Sequence, residues 1–104
     1  MIIETTTREN TARMSMTGEL TIYTIAESKA KLAAAMNNAI DIEIDLAGVA
    51  EMDTAGLQWM LIAKRNPGKR VRFINHPSAV LRLLDLANLG GVLGDPLIIS
   101  ATEH

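Results

Sequence analysis

An α/β domain with an open mixed sheet of four to five strands, and three or more helices mainly on one face, is what this sequence predicts. Three observations predict it. Ile40-Asp41-Ile42-Glu43-Ile44-Asp45-Leu46 alternates apolar and acidic residues with period two, the pattern of a strand with one buried face. Leu57, Met60 and Leu61 then recur at helical spacing. Along the chain, strand-like and helix-like segments keep alternating, which calls for parallel pairs joined by right-handed crossovers. The acidic side of Ile40–Leu46 places the helices. A central strand covered on both faces would be apolar on both, so here one face of the sheet is expected to meet solvent.

The elements follow in order. Ile2 to Thr7 is rich in β-branched residues and reads as an opening strand; Arg8-Glu9-Asn10 turns into a second strand over Thr11 to Thr17. Gly18-Glu19-Leu20 breaks the alternation. Thr24 is placed to N-cap a helix over Ile25 to Asn38, with Glu27 completing a capping box, an Ala-rich body, and Ile25, Leu32, Met36 and Ala39 on one face. After the Ile40–Leu46 strand, Ala47–Asp53 reads as a loop and Thr54–Lys64 as a helix. Asn66-Pro67-Gly68 is a turn, Val71–Ile74 a short strand, and Ser78–Ala87 a helix with Val80, Leu83, Leu84 and Ala87 as its stripe. Asn88-Leu89-Gly90-Gly91 ends that helix, and Val92 to Ile99 can supply a last strand.

Composition narrows the function. The 104 residues suit one domain, residues 1–104. Aromatics are only 3% of the chain, so the core is expected to be aliphatic. Net charge is −2, and the basic stretch Lys64-Arg65 to Lys69-Arg70 has no aromatic platform; it reads as a solvated loop, and nucleic acid is not a partner. With no cysteine, disulfides and thiolate metal sites are excluded, in agreement with a cytoplasmic location. No HExxH or acidic metal spacing occurs, no cofactor loop lies between a strand and a helix, and no apolar run reaches the roughly 18 residues of a membrane span. His76 is expected at the surface.

The stretch Asp53-Thr54-Ala55-Gly56-Leu57 carries the chemistry. It sets a hydroxyl where a strand hands over to a helix, beside the free N–H groups of a first turn. A phosphate added there gains charge and acceptor oxygens next to a helix N-terminus. Thr54 is thus a candidate switch, with capping by Asp53 or Thr54 as the plainer alternative. As a nucleophile Thr54 would need a positioned base, and no histidine lies near it in sequence, so an enzyme is not expected. Gly56 allows close approach of a partner or of the adjoining strand. Asp45 is placed either in the same loop cluster or on a solvated strand face. Trp59 lies off the helical stripe, as a partner contact or as filling at the edge of the core. Leu81, Leu86 and Leu89 lie off the stripe of the last helix, either adding to an apolar interaction surface or, as the plainer reading, packing under the C-terminal segment.

Ile44-Asp45-Leu46, a spacer, and Met52-Asp53-Thr54-Ala55-Gly56-Leu57 resemble the core motif of STAS domains, the sulphate-transporter and anti-sigma-factor-antagonist domains. The upstream Gly18-Glu19-Leu20 and the Val71–Ile74 strand leading past Pro77 agree, so the resemblance spans Met14 to Leu93. It implies a STAS-like fold and a non-enzymatic signalling module of the single-domain bacterial anti-sigma-factor-antagonist type. Thr54 matches the family's phosphoacceptor. Asp53, Ala55, Gly56, Leu57 and Glu19 match its partner-binding surface. The implied partners are a serine/threonine kinase that doubles as an anti-sigma factor, and a phosphatase that resets the switch. Many members read Gly-Glu-Leu-Asp before the first helix, whereas Thr21 follows Leu20 here. That segment is similar to STAS proteins associated with chemotaxis clusters, which makes a chemotaxis signalling protein the other implied partner. A further branch, the soluble STAS subunits of lipid-transport ABC systems, also carries Asp-Thr before Gly and braces an ATPase without phosphorylation.

Overall fold

A computed structural model of the chain describes residues 1–86. The order is β1 (Ile2–Arg8), β2 (Thr11–Leu20), α1 (Ile25–Met36), β3 (Asp41–Met52), α2 (Thr54–Lys64), β4 (Arg70–Ile74) and α3 (Ser78–Leu86). The four strands lie in the order β1-β2-β3-β4; β1 and β2 are antiparallel, while β2-β3 and β3-β4 are parallel. This is the mixed sheet the alternation predicted. The Val92–Ile99 strand, Leu89 and the Ala87 end of the last helix lie outside the described residues.

Burial follows the strand period. Ala12, Met14 and Met16 of β2, Ile42, Ile44 and Leu46 of β3, and Val71 and Phe73 of β4 all point into one core with Leu32, Ala35, Met60, Ala63, Val80 and Leu84 from the helices. The opposite face carries an ion-pair lattice. Arg13 reaches both Glu43 and Asp45, Arg72 pairs with Glu43, and Arg70 grips Asp41. The arginines of these pairs are solvated while Glu43 and Asp45 are half-buried, so each pair adds only modestly to stability. Their importance is that they satisfy the alternating acids on the face the helices leave open. Burial pushes the Asp45 carboxyl up, but the Ala47 N–H, the Asn75 amide and Arg13 outweigh it and hold it below the usual carboxylate range.

Several elements depart from the sequence reading. β2 runs on to Leu20 and β3 to Met52, where a break and a loop were expected. Two register shifts, at Ser15/Thr17 and Gly18/Glu19, each insert a residue into β3, so pairing continues while the hydrophobic alternation of β3 loses its parity; β2 keeps its parity from Ala12 to Leu20 through Gly18. Gly18 takes φ 122° there. α1 ends at Met36, and its buried face is Ser28, Leu32 and Ala35, with Ile25 and Met36 only partly covered.

The basic stretch is a solvated loop only in part: residues 65–68 are exposed, but both lysines are engaged. Lys69 Nζ donates to the carbonyls of Met36 and Ala39, at 2.6 and 2.8 Å, and closes the C-terminal end of α1. Lys64 Nζ donates to Val71 O at 2.6 Å. His76 is buried, 1% exposed, because Asn75 adopts φ 56° and turns the chain inward ahead of α3. Trp59, 3% exposed, packs edge-on against Phe73 with ring centroids 5.9 Å apart, which settles it as core filling.

Candidate functional site

The site forms where the C-terminal ends of β2 and β3 meet the N-terminus of α2. The parallel pairing sets Leu20 beside Met52 and Glu19 beside Glu51. Asp53 N–H then donates to Leu20 O at 3.3 Å, and the chain turns into α2. Asp53 is the N-cap in extended conformation: its Oδ1 accepts from Gly56 N–H at 3.1 Å. Its other oxygen, Oδ2, accepts from Ile22 N–H at 3.0 Å, so one carboxylate ties the α2 mouth to the β2–α1 turn. The Ile22 N–H first, and the Gly56 and Ala55 N–H groups after it, hold the Asp53 carboxyl below the usual carboxylate range against the opposing effect of its slight burial.

Gly56 is required by close packing. A Cβ there would lie 2.5 Å from Leu20 O and 2.7 Å from Met52 Cγ, so the adjoining strand, not a partner, explains the glycine. Leu57 is 6% exposed and anchors the first turn in the core. Asp53 and Ala55 are half-buried. Thr54 opens the helix and is exposed, with no hydrogen bond to its hydroxyl among the described residues. Glu19 is exposed as well, and among the described residues neither it nor Glu51 has an ion pair. The predicted residues therefore come together, but in two roles: Thr54 and Glu19 are presented, while Gly56 and Leu57 hold the mouth in place. Asp45 does not join them; it is bound on the polar face of the sheet.

The β2–α1 turn adds two residues that sequence reasoning passed over. Ile22 is 65% and Tyr23 94% exposed, beside Asp53. A turn of Thr21 and Thr24 enclosing two large apolar residues was the available signal. Thr24 does not cap α1 through its side chain. Its hydroxyl donates to Glu19 O at 2.7 Å and accepts from Thr21 N–H at 3.0 Å, locking the base of the turn. Thr21 Oγ1 in turn accepts from Tyr23 N–H. Ile22 and Tyr23 are thus displayed by an ordered backbone.

A family model described as "Mlab, STAS domain" matches residues 3–98 of the chain. The chain belongs to the STAS domain family. No curated protein sequence matches it significantly. Solved structures share the fold of this STAS domain. An anti-sigma factor antagonist from Mycobacterium paratuberculosis is 18% identical with a TM-score of 0.77, over 93% of this chain and 84% of that one. The anti-sigma factor antagonist SpoIIAA in its unphosphorylated form is 16% identical with a TM-score of 0.63, over 97% and 90%. The Bacillus cell fate determinant SpoIIAA in its phosphorylated form is 19% identical with a TM-score of 0.68, over 98% and 93%. At these identities the likeness is one of fold. Among the described residues no group of His, Asp or Glu is placed to hold a metal ion, and no helix is long and apolar enough to cross a membrane.

Proposed function

We propose that this STAS domain is a cytoplasmic, non-enzymatic switch of the anti-sigma-factor-antagonist type. It docks a protein partner, an anti-sigma kinase or a chemotaxis signalling protein, while Thr54 is unphosphorylated, and a phosphatase restores that state. One observation carries the reading: an exposed threonine hydroxyl stands at the first position of α2, beside an N-cap carboxylate already tied to the neighbouring turn. The partner surface is Thr54 and Glu19 with the apolar Ile22 and Tyr23, while Asp53, Ala55, Gly56 and Leu57 set the geometry. Phosphate would bring about −1.5 to −2 charges to that surface. Because Gly56 N–H is engaged by Asp53, the new charge stays next to an existing carboxylate and faces the partner. Docking then requires burying two anionic groups, and affinity falls.

Incubation with host lysate and ATP, followed by intact-mass measurement, tests the switch. One added phosphate that disappears in Thr54→Ala supports it. Wild-type and Thr54→Ala baits should then retain a partner that Thr54→Glu loses. A second reading, the STAS subunit bracing a lipid-transport ABC ATPase, is favoured by the completeness of the Asp53 network in the unmodified chain. It predicts a co-purifying ATPase and no added phosphate.

A further inference from the structure

Strand β1 closes one side of the sheet, and its outer edge pairs with no strand among the described residues. Natural edge strands are commonly blunted by proline, lysine, a bulge or extreme shortness. β1 has no proline, lysine or bulge, and its only charged residues are Glu4 and Arg8. It is seven residues long, runs in unbroken register with β2, and has Thr5, Thr6 and Thr7 near its centre. α1 contacts β1 but covers it only in part: Ile3 is partly buried, whereas Thr5 and Thr7, which lie on the helix side opposite Met14 and Ala12, remain exposed.

We propose that β1 pairs antiparallel with β1 of a second copy of this chain, about a two-fold axis at Thr6, joining two four-stranded sheets into one. The charges select both the occupant and the alignment. With the axis at Thr6, Glu4 of each copy faces Arg8 of the other, and Thr5 faces Thr7. Opposite-charge and Thr–Thr pairs directly across strands favour pairing, and like charges oppose it. An axis at Glu4 or at Arg8 would set each of those charges against itself. Within the chain neither Glu4 nor Arg8 has an ion pair among the described residues, so both charges are available. A closed two-fold interface must be self-complementary, and an acid and a base placed symmetrically about Thr6 meet that condition. The axis stands perpendicular to the sheet. It keeps the helices of both copies on one side and the Arg13, Glu43 and Arg72 lattice on the other.

Sedimentation velocity at concentrations up to about 1 mM tests the proposal. The wild-type chain dimerises as concentration rises. Glu4→Arg and Arg8→Glu each turn both cross-axis pairs into like-charge pairs and weaken the dimer about tenfold or more. The double variant Glu4→Arg/Arg8→Glu recovers the wild-type dissociation constant. Mixing the two single variants restores association as heterodimers, since each copy supplies the sign the other lacks. Because both positions are exposed, circular dichroism should show all variants folded, and the mixing arm needs only the two single variants. A wild-type chain that stays monomeric overturns the proposal. So does a dimer indifferent to the single swaps, or a mixture that associates no better than its components.

Discussion

The Asp53 carboxylate accepts the Ile22 backbone N–H at 3.0 Å across a sequence separation of 31 residues. With the Gly56 N–H on its other oxygen, it joins a helix N-terminus to an apolar turn. Asp53→Ala therefore removes a cap and a tertiary tie together. We expect a loss of about 1–2 kcal/mol in urea unfolding. Asp53→Asn should recover the cap but not the tie, because its one amide oxygen can accept from Gly56 N–H while its NH2 cannot accept from Ile22 N–H.

The same carboxylate has a pH signature. Its folded pKa is depressed, so its contribution is present above the unfolded value near 4 and is lost as pH falls through the folded pKa. The stability gap between wild type and Asp53→Asn should be constant from about pH 5 to 8 and should narrow below about pH 4. Urea midpoints of both proteins measured across that range check it. A gap that widens with acidification would contradict the assignment.

Thr54 should be thermodynamically quiet. Exposed, and without a hydrogen bond among the described residues, it should tolerate Thr54→Ala and Thr54→Glu within about 0.5 kcal/mol by thermal melting. The glutamate is further favoured by the helix dipole. A partner-binding defect in Thr54→Glu would then report on the docking surface and not on unfolding.

Gly56→Ala separates helix propensity from packing. Alanine is the better helix former by about 1 kcal/mol. Its Cβ would nevertheless press on Leu20 O at 2.5 Å, a backbone atom that can yield only by moving β2. Overpacking prevails, and we expect a net loss of about 1–3 kcal/mol in urea unfolding.

Lys69→Met tests the closure of α1 from outside the helix. Its ammonium serves two carbonyls there, and their loss should cost about 1–2 kcal/mol. Amide exchange should accelerate first in the last turn of α1.

Legibility in the sequence tracked how local each determinant was. The alternation reported burial correctly at Ile42, Ile44 and Leu46, though not at Ile40, which is 43% exposed and precedes β3; the Leu57, Met60 and Val80, Leu84 spacings did so too, because each reflects the period of its own element. The Asp53 cap was legible for the same reason. The outer half of β3 was not, since two bulges shift the parity on which reading a strand depends, and the outer end of β2 was hidden by Gly18, which continues the strand at a positive φ. Lys69 was misread because its acceptors, Met36 O and Ala39 O, are backbone atoms some 30 residues upstream that composition does not register. His76 was misread because its burial follows from one left-handed residue, Asn75. The exposure of Ile22 and Tyr23 depends on Thr24 bonding back into its own turn instead of capping α1, a choice between two local bonds that propensity alone does not decide.

The contact between Gly56 and Leu20 O leaves no slack at the entrance of α2. A helix start packed this closely against a strand end has no room to move further inward. On the proposed reading, a group added to the Thr54 oxygen would change what that spot offers without changing where it stands. The adjustable groups beside it are the exposed side chains of Ile22 and Tyr23.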